Sequence, residues 1–173
     1  MKPCDASELL DRAVVIALGS NLAGAYPSSE ALLEAAVNAL RGAGANVLAR
    51  SPWWGSAAWP DAAQPAYLNG VVLVETELAP PALLAELGRL ERAFGRRPGE
   101  INAARTLDLD LIAYGRAIIA MAGLTTPHPR AHERKFVMGP LAEIAPLWRH
   151  PVSGETAAAL ASRTTVGNDA TPV

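Results

Sequence analysis

At 173 residues, half of them apolar and with a net charge of −2, the chain is long enough to bury a substantial core as one domain. No uninterrupted apolar run approaches the length of a membrane span, and the single cysteine, Cys4, excludes an intrachain disulfide framework. The slight acidity argues against broad binding to a nucleic-acid backbone, and a reducing cytoplasm is the expected home.

Residues 1–13 carry five charges of both signs and read as a short helix or an unstructured lead-in. Residues 14–18, too short an apolar run for a signal-peptide core, form a buried-type strand ended by Gly19-Ser20-Asn21. Ser28 is a helix N-cap, and Leu32, Leu33, Ala36, Val37 and Leu40 recur at helical spacing until Gly42 and Gly44 stop them. Residues 46–54 read as a second strand, 55–65 as a Pro- and Ala-rich loop, and 67–77 as a third strand with an apolar run at 71–74. Pro80 and Pro81 open a second long helix with Leu83, Leu87, Leu90 and Phe94 on one face, ended by Gly95.

Residues 105–111, RTLDLDL, follow. Leu107, Leu109 and Leu111 alternate with Asp108 and Asp110, the period of a strand with one apolar face. The two carboxylates therefore share a face, about 7 Å apart along the strand. Unpaired, they repel each other and resist desolvation, and a hard divalent cation relieves both problems. A bare Asp-x-Asp fits a strand with two solvated aspartates equally well. Beyond Gly115, residues 118–121 suggest a short strand, a helix falls around 141–145, and 153–163 suggest a last Ala-rich helix. A disordered tail is expected from Thr164.

The order β-α-β-β-α-β predicts an α+β fold with a ferredoxin-like core at 14–151, an antiparallel sheet with both helices on one face, and a C-terminal extension. The leucines of 105–111 should face those helices, leaving the aspartates on the open side near Gly19-Ser20-Asn21. Three further groups would converge there. Arg96, Arg97 and Arg105 suit phosphate oxygens. His128, Arg130, His132 and Arg134 could close over a nucleotide. Trp59, Tyr67, Asn69 and Phe136 suit a flat, hydrogen-bonding heterocycle, although each of these aromatics also fits a packing role.

No Gly-x-x-x-x-Gly-Lys-Ser/Thr loop, Gly-x-Ser-x-Gly elbow or Cys/His zinc pattern occurs. What remains is metal-dependent phosphoryl or nucleotidyl chemistry. A nucleotidyltransferase would release pyrophosphate, and an RNA-stacking sheet would carry a basic net charge.

ALGSNL at 17–22, QPAYLNGVVLVET at 64–76, RTLDLDLIAYG at 105–115 and LTTPHPRAHERKFVMGPLAEIAP at 124–146 together resemble the 6-hydroxymethyl-7,8-dihydropterin pyrophosphokinase family. The resemblance implies transfer of pyrophosphate from ATP to the pterin hydroxymethyl group with release of AMP, in folate biosynthesis. It implies two Mg²⁺ ions on Asp108 and Asp110, and a triphosphate held by Arg96 and Arg105. Nucleotide contacts would come from Arg97, Leu124, Thr125, His128 and Arg134. The pterin would be sandwiched by Tyr67 and Phe136, read by Asn69 and lined by Ser56, Ala57 and Trp59. A cytoplasmic monomer with no nucleic-acid or membrane partner is expected. One departure stands out: where many members carry Arg-Trp-Gly-Pro, this chain has Ile101-Asn102-Ala103-Ala104. Weaker closure of a mobile 96–104 loop is the expected consequence.

Overall fold

A computed structural model describes residues 5–99 and 103–173. Helix α1 (Ala6–Arg12) starts at Asp5, whose carboxylate accepts the Ser7 N–H. Strand β1 (Val14–Ser20) is buried at every position, as its unbroken apolar run requires. Helix α2 (Ser29–Gly42) begins where the Ser28 hydroxyl accepts the Ala31 N–H at 3.1 Å. It ends just before Gly44, whose φ of +83° suits glycine alone.

The expected second strand is two strands, β2 (Ala45–Arg50) and β3 (Trp54–Ser56), broken at Ser51-Pro52-Trp53. Pro52 has no N–H to give a ladder. The Ser51 hydroxyl instead accepts from Val71 N and donates to Pro52 O, and Trp53 turns into the core. Strand β4 (Tyr67–Thr76) pairs with β1 on one edge and with β2 and β3 in succession on the other. Helix α3 (Pro80–Ala93) has Pro at its first positions, where a missing N–H costs nothing.

Strand β5 (Asp108–Tyr114) pairs antiparallel with β1, with Ala17 opposite Asp110 and Gly19 opposite Asp108. Strands β6 (Ile119–Met121) and β7 (Leu124–Thr126) form a separate hairpin. A 3-10 turn (Ala131–Glu133) leads into helix α4 (Lys135–Ile144), then α5 (Ala157–Ala161) and a short strand β8 (Thr171–Pro172) on β3. The main sheet runs β5-β1-β4-β3-β8, with β2 also on β4.

Two apolar layers flank this sheet. Val14, Ile16, Leu18, Leu107, Leu109 and Leu111 pack with α2 and α3, as strand alternation predicted. Val15, Ala17, Val71, Leu73 and Ile112 pack with α4, α5 and Trp148. The sheet face bearing the aspartates is therefore not open, and helices lie on both faces. Helix α4 starts at Lys135, six residues earlier than expected, and continues through Pro140, whose ring has no N–H to give Phe136 O. Helix α5 is confined to five residues by the Thr156 cap and the turn at Ser162.

The tail from Thr164 is not disordered. Val166 O accepts the Lys135 N–H at 2.8 Å, and residues 171–172 pair with β3. Apolar burial near residue 170, where Ala170 is 2 % exposed, anchors it. Among the described residues no helix is long and apolar enough to cross a membrane.

Candidate active site

The part of the aspartate-bearing face that α4 and α5 leave uncovered is a cavity of about 310 Å³. Its floor is set by strand register. Gly19 sits between Asp108 on β5 and Asn69 on β4, and Ser56 on β3 lies opposite Tyr67. Partners across antiparallel strands point the same way, so one face gathers Asp108, Asp110, Asn69, Tyr67 and Ser56. A Cβ on Gly19 would protrude among Tyr67 and Asn69 at 3.5–3.8 Å, so glycine keeps that floor low.

Eleven of the predicted residues line the cavity: Ser56, Ala57, Trp59, Tyr67, Asn69, Arg105, Asp108, Asp110, His128, Arg134 and Phe136. Arg96 reaches it indirectly, 3.2 Å from Asp108 Oδ1. Three do not join them. Arg97 is exposed outside the wall, Thr125 is exposed on β7, and Leu124 is 5 % exposed within the α2–α3 core layer. Ala103 reaches the rim, while the central substitutions Ile101 and Asn102 lie outside the described residues.

Arg105 is not on the strand, which begins at Asp108. Asn21 places it instead. The Asn21 side-chain oxygen accepts Arg105 N at 2.8 Å, and Arg105 O accepts Asn21 N at 3.2 Å. The Asn21 amide also donates to Pro65 O, tying down the end of the 57–65 loop. Arg105 Nη1 then donates to Asp108 Oδ1 at 2.8 Å. Burial disfavours the Arg105 cation, but Asp108 outweighs it and the pKa is raised.

Glu91, on α3, is the second hidden support. It is 9 % exposed, accepts the Leu109 N–H at 2.8 Å and is ion-paired with Arg96. Burial raises its pKa, against those two hydrogen bonds. A glutamate at a helix position that apolar periodicity would fill, as Leu87 and Leu90 do, was the available signal.

Burial, reinforced by the neighbouring Asp108 carboxylate, pushes the Asp110 carboxyl up from 3.8 to about 6. Across the cavity, burial and then the Arg134 and Arg130 cations push His128 down from 6.5 to about 4, so its imidazole is neutral. Its Nδ1 accepts Arg130 N at 3.2 Å. Arg134 is half-buried, its pKa lowered by burial, and its Nε has no hydrogen-bond partner among the described residues. A guanidinium with an unpaired N–H, lining one cavity with two carboxylates whose charge it feels, suits an anionic ligand bridged by a cation. The donor set fits a hard cation. No third His, Cys, Asp or Glu joins the aspartates among the described residues, so ligand and water oxygens would complete the shell.

At the other end Asn69 donates to Trp54 O at 3.3 Å and to Ser56 Oγ at 2.9 Å, leaving its carbonyl end beside Gly19. Tyr67, Phe136 and Trp59 line the same cavity, and the Arg130 guanidinium lies 5.3 Å from the Trp59 ring centre. The cavity thus has a charged end and an aromatic, hydrogen-bonding end.

The sequence matches the family described as 7,8-dihydro-6-hydroxymethylpterin-pyrophosphokinase (HPPK) over residues 15–146. It is 44% identical over 142 residues to the 2-amino-4-hydroxy-6-hydroxymethyldihydropteridine pyrophosphokinase of Synechocystis sp., covering 82% of this chain and 71% of that protein. It is 42% identical over 130 residues to the enzyme of the same name from Haemophilus influenzae, covering 75% of this chain and 79% of that one. The fold is similar to that of Plasmodium falciparum HPPK-DHPS solved with SDX-DHP, with a TM-score of 0.68 at 12% identity over 87% of this chain. This chain spans 44% of that longer protein. By the extent of these matches, the chain belongs to the hydroxymethyldihydropterin pyrophosphokinase family.

Proposed function

We propose that the two ends of the cavity hold the two substrates of the family's reaction, ATP at the charged end and 6-hydroxymethyl-7,8-dihydropterin at the aromatic end, within a ferredoxin-like core. The observation that carries this is the placement of the Asp108–Asp110 pair, a half-buried Arg134 with an unpaired N–H, and the Tyr67–Asn69–Phe136 group around one cavity. Tyr67 and Phe136 would flank the heterocycle, and Asn69, held by Trp54 and Ser56, would present its carbonyl oxygen to ring N–H groups.

In the reaction the hydroxymethyl oxygen bonds to the β-phosphorus. The bond from that phosphorus to the oxygen bridging it to the α-phosphorus breaks, AMP departs with that oxygen, and the hydroxyl proton is lost. Asp108 and Asp110 would hold magnesium, which when bound neutralises charge on the triphosphate. Arg105 and Arg96 now rest on Asp108 and would turn to phosphate oxygens once a cation occupies the carboxylates. Arg134 would complete the anion cradle. His128, uncharged at neutral pH, would serve as a hydrogen-bonding wall rather than a further cation. Rate acceleration would come mainly from positioning and charge stabilisation.

Incubation with ATP, Mg²⁺ and hydroxymethyldihydropterin tests this. AMP formed in step with loss of the pterin is the expected result. ADP, or AMP formed without pterin, contradicts the assignment.

A further inference from the structure

The C-terminal tail touches both walls of the aromatic end of the cavity. One wall is the end of β3 and the start of the next loop, Ser56 and Ala57; the other is Phe136 on the first turn of α4. Strand β3 is only three residues long and has β4 on one edge alone, so its other edge would be bare without β8. The tail supplies that edge, with Thr171 opposite Gly55, and the Val173 N–H donates to Trp53 O at 3.1 Å.

Two contacts reach the pocket residues themselves. The Asp169 Oδ2 accepts the Ala57 N–H at 2.6 Å. Gly167, at φ +68°, lies against the Phe136 ring so closely that a Cβ there would stand 2.5 Å from Cδ1. Lys135, the residue before Phe136, donates its N–H to Val166 O at 2.8 Å.

We propose that the C-terminal tail is a positioning element for the pterin pocket, with Asp169 fixing the Ala57 wall and Gly167 seating the Phe136 ring. This rests on the reading of that end as the pterin site. Val166 pairs with the Arg134 backbone, whereas Asp169 and Gly167 meet Ala57 and Phe136, so loss of the Asp169 contact should weaken pterin binding and spare the nucleotide.

The test uses the full chain with Asp169→Ala, Asp169→Asn and Gly167→Ala. Dissociation constants are measured for a non-hydrolysable ATP analogue with Mg²⁺, and then for hydroxymethyldihydropterin on that complex. Asp169→Ala should weaken pterin about three- to tenfold, the range for one lost hydrogen bond, with the nucleotide within about twofold. Asp169→Asn keeps an accepting oxygen and should stay within about twofold of the parent for both. Gly167→Ala should also weaken pterin. The inference is overturned if Asp169→Ala leaves pterin binding intact, if pterin and nucleotide weaken together, or if Asn is as poor as Ala. A parent chain that binds the nucleotide but no pterin would instead overturn the reading of the pocket itself.

Discussion

Two titrating side chains on opposite walls of the cavity pull stability in opposite directions. Asp110 holds its proton more tightly folded than unfolded, so its contribution to stability falls as pH rises from about 4 to about 6. His128 is the reverse. Its folded pKa of about 4 lies below the ordinary 6.5, so its contribution is full above 6.5 and is lost as pH falls through that window. Single substitutions separate the two. Asp110→Asn should raise the unfolding free energy from urea titration of the ligand-free protein at pH 7 by roughly 1–3 kcal/mol, because the cost of burying a carboxylate beside another disappears. His128→Gln should flatten the loss of stability between pH 6.5 and 4. An Asp110→Asn protein less stable than the parent at pH 7 would count against the burial argument. A binding residue that lowers the stability of the empty fold is what a site built for a cation and an anion together would carry.

At the scale of elements, the sequence made the strands and long helices legible because their signals are local. Alternation in 107–111 put the leucines on the α2–α3 side and both aspartates on the other, and Ser28 and Pro80 marked helix starts. What was hidden depends on partners distant in sequence. Asn21 grips Arg105 across 84 positions, and Glu91 reaches Leu109 from a helix, pairings that no periodicity reveals. The break in the second strand depends likewise on a distant partner, because Trp53 packs over Gly70 of β4. A Cβ on Gly70 would stand 2.5 Å from Trp53 Cζ3, and that ring is 6 % exposed with little freedom to retreat. Gly70→Ala should therefore destabilise the fold by about 1–3 kcal/mol in denaturant titration, as overpacking of a filled core does. An unchanged midpoint would show that the β2–β3 break is slack.

Across the whole molecule, the sheet works as a partition. One face carries the α2–α3 layer, while the other shares its area between the α4–α5 layer and the cavity. The tail, expected from sequence to be disordered, completes the second face through backbone pairing, which leaves little trace in residue type. The arginines proposed to bind phosphate enter from the loops before β5 and after β7, and the aromatic residues of the cavity from β3, β4 and α4 with the loop after β3. The cavity is thus lined from several elements, with the aspartates of β5 among its charged groups.

The most direct measurement is the pterin-dependent rate of AMP release by Asp108→Ala and Asp110→Ala with saturating ATP and Mg²⁺. Loss of a cation that takes up several kcal/mol of developing charge predicts a fall of about a thousandfold or more in each variant, with the fold retained by circular dichroism. Turnover near the parental rate in either folded variant would contradict the assignment of these carboxylates as the metal-holding centre of the reaction.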